Sequence, residues 1–259
     1  MKNRISVLFA FMALLLVISL ACSIFGGTQS PPDTQVPQQP DQPQITKPPV
    51  QPTEPPVQPT EPPVQPPSEA PDFFTEEFNG DVSNWVQTVE LNADSGNKSQ
   101  AKIAVDNGFL VFDMGKQLIG YVFYKPYKYT NVRLDVRVDN RGTNVNNILL
   151  VCRKSDEGHY LVNIANSGLF AMYAFDGAKN NYARMADGGS KKIKSGKEIN
   201  EYALVCNEKI LTLYINGSEV RSYTDNLYVF RDGQVGVGVA SEDQLPVKVE
   251  FDWVKISQP

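Results

Sequence analysis

In "VKVEFDW" (Val247–Trp253) apolar and polar side chains alternate strictly: Val247, Val249, Phe251 and Trp253 share one parity, and Lys248, Glu250 and Asp252 the other. A pleated strand sends successive side chains to opposite faces, so this pattern belongs to a strand with one buried and one wet face. The same spacing of two recurs from position 73 to position 256, and no window of a dozen residues carries a helical stripe free of Gly or Asn punctuation. Strands are expected over 73–78, 101–105, 109–114, 119–125, 130–138, 147–153, 159–164, 168–175, 200–206, 209–215, 219–223, 233–240 and 246–256. Asn107-Gly108 and Asn216-Gly217 are hairpin signals, because both central residues of a type I′ turn need positive φ, and Asp176-Gly177 and Asp232-Gly233 are expected to act similarly. So many short punctuated strands imply an all-β domain, either a sandwich of two antiparallel sheets or a closed barrel.

The rest of the chain is of a different kind. Lys2 and Arg4 precede an apolar run from Ile5 to Ala21, which reads as a signal peptide over 1–21 and makes this an exported protein. "SLAC" (Ser19–Cys22) resembles the lipobox of bacterial lipoproteins. That resemblance implies lipidation of Cys22, and hence anchoring to a bacterial membrane facing outside the cytoplasm, since two or more acyl chains hold stably where one binds marginally. An uncleaved signal anchor is the alternative. Sixteen of the chain's 19 prolines fall between Thr28 and Pro71, where "VQPTEPP" occurs at 50–56 and again at 57–63. Nothing there can build a core, so residues 22–71 are expected to be a disordered, proline-rich stalk, reaching at most roughly 130 Å at about 3.1 Å per residue. A ligand for proline-reading domains is the competing reading of that stretch.

Residues 72–259 suffice for one domain with a sizeable core. The formal net charge of the chain is −5 and no basic run interleaves with aromatics, which argues against nucleic acid as a partner. With Cys22 set aside, Cys152 and Cys206 remain, each ending an apolar strand, and in an exported domain they are expected to pair. Closing that loop contributes about 4 kcal/mol in the chain-entropy model. Two buried free thiols are the alternative.

Several stretches of this domain carry a family likeness: "EEFNGDVSNW" (76–85), "VDNGFLVF" (105–112), "LLVCRKSDEGHYLVNI" (149–164), "LTLYINGSEV" (211–220), "DGQVGVGV" (232–239) and "VEFDWVKI" (249–256). They resemble the concanavalin A-like lectin/glucanase group, including laminin G-like modules and the domain named for 3-keto-disaccharide hydrolases, which is related to family 16 glycoside hydrolases. The resemblance implies a jelly-roll β-sandwich but no particular activity, because this fold serves lectins, enzymes and adhesion modules alike. Family 16 enzymes carry a third carboxylate two or three residues beyond the Asp of such a strand, and here those positions hold Val254 and Lys255. Neither can protonate a leaving sugar, so the enzymatic motif is incomplete and Glu250 and Asp252 read as a solvated structural face.

His159 is the only histidine, which rules out a multi-histidine metal site, and alternation in "GHYLVNI" turns it outward with Asn163. The parity of "NILLVCR" adds Asn147 and Arg153, and Tyr173 follows on the next strand. Asn147, Arg153, His159, Asn163 and Tyr173 are therefore the candidate glycan-binding surface, with an aromatic face to stack on a sugar and amides or guanidinium to hold its hydroxyls. In "GYVFYKPYKY" (120–129), Tyr124, Tyr127 and Tyr129 are the aromatics expected to be exposed. No cofactor is required. Related sandwiches sometimes hold structural calcium where first and last strands meet, which the resemblance would place at Glu77 and Asp252, although no dense Asp/Asn loop supports it. The reading is a surface lipoprotein displaying a non-catalytic, lectin-like domain to a glycan or cell-wall polysaccharide. A hydrolase acting on glycosides or 3-keto-disaccharides, and a structural or protein-binding surface module, are the alternatives.

Overall fold

The computed structural model describes residues 70–259. The signal sequence, Cys22 and nearly all of the proline-rich segment lie outside the described residues. Fifteen strands follow one another: β1 (Phe74–Glu76), β2 (Trp85–Leu91), β3 (Lys102–Asp106), β4 (Phe109–Met114), β5 (Leu118–Tyr124), β6 (Val132–Asn140), β7 (Asn146–Lys154), β8 (Gly158–Ala165), β9 (Leu169–Asp176), β10 (Asn181–Gly189), β11 (Ile199–Asn207), β12 (Ile210–Ile215), β13 (Ser218–Thr224), β14 (Gln234–Ser241) and β15 (Val247–Ser257). They form two antiparallel sheets. One has eight strands in the order β13-β12-β11-β6-β15-β4-β3, with β1 added beside β15, and the other has seven in the order β10-β9-β8-β7-β14-β5-β2. The domain is an all-β sandwich.

Alternation produces the core. Along β6 inward and outward positions take strict turns, with Val132, Leu134, Val136 and Val138 buried. They meet Leu150, Val162, Met172 and Val237 from the other sheet. The disulfide Cys152–Cys206 joins β7 to β11 and so ties one sheet to the other, closing a loop of 54 residues. Asn107 and Gly108 have φ of 51° and 80°, and Asn216 and Gly217 have 48° and 76°, so both hairpins take the left-handed geometry expected of them. The other two turn signals act differently. After Asp176 the left-handed residue is Asn180 (φ 49°), with the Asp176 carboxylate accepting from the N–H groups of Ala178 and Lys179. Gly233 bridges to Tyr129 rather than turning a hairpin.

Three expectations fail for identifiable reasons. β2 and β10 lie in stretches where no strand is expected, because as the two edges of the seven-stranded sheet they lack a clean apolar parity. In β15 the register shifts between Phe251 and Trp253, a bulge that puts Val254 and Ile256 in the core and leaves Trp253 only half-buried. Tyr124 and Tyr129 are buried, not exposed. Their rings pack against Phe74 and Phe73, and their hydroxyls donate to the carbonyls of Pro71 and Asp72, each at 2.6 Å. Tyr127 stacks on Tyr124 and is half-buried. These aromatics therefore clamp the entry of the chain into β1.

Candidate functional site

The outer face of the seven-stranded sheet is assembled from the outward parity of its strands. β7 contributes Asn147, Leu149 and Val151, and β8 contributes His159, Leu161 and Asn163. On β9 the outward residues are Ala171, Tyr173 and Phe175. Register places Leu149 beside Asn163, Leu161 beside Tyr173, and His159 beside Phe175. From the edge strand β10, Tyr182 stands beside Phe175 and Arg184 beside Tyr173. On the other side β14 offers only Gly236, Gly238 and Ala240, so the rings of Phe123 and Tyr121 from β5 lie directly against the sheet. A Cβ on Gly236 would come within 2.3 Å of Phe123, and one on Gly238 within 2.8 Å of Tyr121. Close approach of the rings requires glycine there.

The result is a second apolar cluster on an outward face: Tyr121, Phe123, Leu149, Val151, Leu161 and Ala240, with Ile119 and Tyr173 packed on it. Of two open clefts on this face, the first crosses the cluster and the second meets it at Tyr173. The first, of about 290 Å³, is lined by Tyr121, Asn147, Asn163, Tyr173, Tyr182 and Glu242, among others. The second, of about 300 Å³, runs from Asn147, Asn163 and Tyr173 to Arg184 and Asp187. Asn147, Asn163 and Tyr173 line both. Arg184 lies over the Tyr173 ring at 5.8 Å. An aromatic face beside two amides suits a ligand with a flat apolar side and a rim of hydroxyls.

Of the five candidate residues, the structure brings Asn147, Asn163 and Tyr173 together. His159 has the expected parity but is not solvated. It is 9% exposed, stacked on Phe175 at 5.0 Å and covered by the edge of Tyr182, whose hydroxyl lies 3.3 Å from Nε2. Burial, and then the nearby positive charge of Lys154, pull its pKa down to about 4, so the ring is neutral at pH 7.

Arg153 belongs to no outer face, which corrects the placement read from alternation. Its φ is +55°, at a register shift between β7 and β14, and the bulge turns its side chain inward, where it is 2% exposed. There Nε donates to the Thr130 carbonyl at 2.9 Å, and Nη1 donates to the carbonyls of Glu208 (2.7 Å) and Phe230 (2.9 Å). Tyr160, whose ring packs at a tilt against Phe230, donates its hydroxyl to Asp225, and that carboxylate also accepts from the N–H groups of Leu227, Tyr228 and Val229. Burial alone would raise the Asp225 pKa. The bonds from Tyr160 and the three amides outweigh it and hold the group below the ordinary range. Arg153 thus locks one end of the sandwich.

The acidic strand lies on the opposite face of the molecule, in the eight-stranded sheet. Arg141 donates to Glu250 at 2.9 Å and pairs with Asp139 at 3.0 Å, while Arg137 bridges Asp252 (3.1 Å) and Glu201 (2.9 Å). Lys248 lies 3.6 Å from Glu250. A wider depression of about 640 Å³ opens beside these pairs, lined by charged groups such as Arg137, Arg141, Lys194 and Glu201, and it offers no aromatic ring. β1 does meet β15 as the calcium expectation supposed. However, Asp252 is engaged by Arg137, and no cluster of three metal-ligating side chains occurs among the described residues.

Tyr121, Tyr182 and Arg184 went unrecognised in the sequence. Tyr121 lies in "LIGYVFY" (Leu118–Tyr124), apolar at nearly every position, so parity gives no face, and the other two are on the unexpected strand β10.

No protein-family model matches the chain, and no curated protein matches it in sequence. Solved structures do share its fold. A β-1,3-glucanase from Mycobacterium marinum superposes with a TM-score of 0.54 at 12% identity, over 73% of this chain and all of that one. The Bacillus licheniformis β-glucanase gives 0.54 at 10% identity, over 73% and 99%. A Bacillus subtilis protein of unknown function with a galectin-like fold gives 0.56 at 10% identity, over 74% and 97%. Two antiparallel sheets packed face to face give residues 70–259 a jelly-roll β-sandwich fold, which these solved structures share.

Proposed function

We propose that this domain binds a glycan without cleaving it, on the outer face of the seven-stranded sheet, and that it is displayed outside a bacterial cell on a proline-rich stalk anchored through lipidated Cys22. The observation that carries the reading is the pair of clefts floored by apolar side chains and shared by Tyr173, Asn147 and Asn163. A retaining glycosidase needs two carboxyl groups about 5–5.5 Å apart, and an inverting one about 6.5–9.5 Å. The carboxylates lining the two clefts are Glu242, just after β14, and Asp187, on β10. Four strand spacings lie between β14 and β10, so these groups are roughly 19 Å apart across the sheet at about 4.8 Å per spacing. They cannot act as a pair on one bond.

A glycan array probed with the full chain in detergent tests the reading, alongside a reducing-sugar assay on every glycan that binds. Binding weakened by Tyr173→Ala, with no release of reducing ends, is expected. Release of reducing ends would establish hydrolysis instead, and an array with no bound glycan would leave a protein-binding role.

A further inference from the structure

Tyr121 is 3% exposed, and its buried hydroxyl has the Tyr182 hydroxyl beside it but makes no hydrogen bond of good geometry among the described residues. Buried hydroxyls are almost always paired, and leaving one unpaired costs free energy that a phenylalanine at the same position would avoid. Packing alone gives no reason for this oxygen, because the ring already stacks on Phe123 at 5.4 Å and covers Gly238. The residue lines the 290 Å³ cleft beside Tyr173 and Tyr182. Tyr182 is 42% exposed and belongs to an edge strand, and its ring closes over Tyr173, Phe175 and His159, so a ligand that reaches the Tyr121 hydroxyl displaces it. The only charged residue lining this cleft among those described is Glu242, and its volume is at the low end for a ligand site.

We infer, resting on the glycan-binding reading above, that the Tyr121 hydroxyl is a specificity-determining group that hydrogen-bonds one hydroxyl of a neutral sugar ring seated on Tyr173 once Tyr182 has swung out of its edge-to-face contact with that ring. Asn147 and Asn163 hold neighbouring hydroxyls of that ring. Glu242, the one charged group lining this cleft among the described residues, repels acidic sugars, while Arg184, over the Tyr173 ring, lines the neighbouring cleft.

The test is calorimetric titration of the full chain in detergent with tetrasaccharides of β-1,3-linked glucose, β-1,4-linked glucose and galacturonate, repeated on Tyr121→Phe, with thermal melts of both proteins. The expected result is binding of a neutral tetrasaccharide in preference to the uronate, weakened about tenfold by Tyr121→Phe, with a melting temperature equal to or above that of the parent. Unchanged affinity in Tyr121→Phe would overturn the inference while leaving glycan binding intact. Preference for the uronate, or loss of binding together with a lowered melting temperature, would also overturn it. A parent protein that binds none of the three would overturn both this inference and the reading it rests on.

Discussion

The two outer faces of this sandwich are made by the same alternation, yet they are chemically opposite. On the eight-stranded sheet the outward positions of β6 and β15 carry Arg133, Asp135, Arg137, Asp139, Glu250 and Asp252, which are satisfied in ion pairs with one another or, for Asp139 and Glu250, with Arg141. On the seven-stranded sheet the outward positions carry Tyr121, Phe123, Leu149, Leu161 and Tyr173, with amides between them. An exposed ion-pair ladder is worth about 0–1 kcal/mol per pair, and it keeps a face wet and self-contained. The apolar cluster is no more than 6% exposed at any of its six members, so it forms a floor beneath the half-buried Tyr173 and the amides rather than an ion-pair ladder. The difference shows that parity fixes which residues face out, while their chemistry decides what each face could hold.

The largest expected effect breaks the link between the faces. Replacing Cys152 and Cys206 with alanine should cost about 4 kcal/mol of stability, because the bridge closes a loop of 54 residues and joins the sheets, and denaturant unfolding measures it. Next is Arg153→Met, which removes donors from three carbonyls. It should cost about 3 kcal/mol by thermal denaturation while leaving the glycan affinity of the folded protein unchanged, since this side chain touches neither cleft.

A pH experiment separates the faces by charge state. His159 is held at about 4 in the folded chain against 6.5 when unfolded. Below pH 6.5 the unfolded state therefore binds a proton that the folded state does not. Its contribution is constant above about pH 6.5, and stability falls as pH drops to about 4, by on the order of 3 kcal/mol, then levels off. Denaturant titrations of His159→Gln across that range should lack this part of the slope. A smaller effect is expected from Tyr173→Ala, about 1–2 kcal/mol of binding, or roughly tenfold in Kd, with little change in melting temperature. The smallest belongs to the charged face: Glu250→Gln should cost less than about 1 kcal/mol of stability and leave binding untouched.

The architecture was legible because long, clean parities such as that of β6 admit one face assignment, and because Asn107-Gly108 and Asn216-Gly217 tolerate only one kind of turn. Of the candidate site, the shared outward face of Asn147, Asn163 and Tyr173 was legible from alternation. What remained hidden depends on breaks in parity. The bulge at Arg153 and the one after Phe251 each flip a side chain without any glycine or proline to announce it. Edge strand β10 shifts register between Arg184 and Ala186 and mixes Ala, Gly and Asp with its one aromatic, so Tyr182 and Arg184 gave no periodic signal. Tyr121 was concealed by the opposite problem, a strand apolar on both faces.

Hydroxyl-radical footprinting of the full chain, with and without a glycan that it binds, tests the central claim most directly. Tyr173 and Tyr182 on the seven-stranded sheet should be protected by the glycan, while Tyr214 and Trp253 on the eight-stranded sheet oxidise as before. Protection of Tyr214 and Trp253 with Tyr173 and Tyr182 unchanged would place the ligand on the charged face and contradict the account.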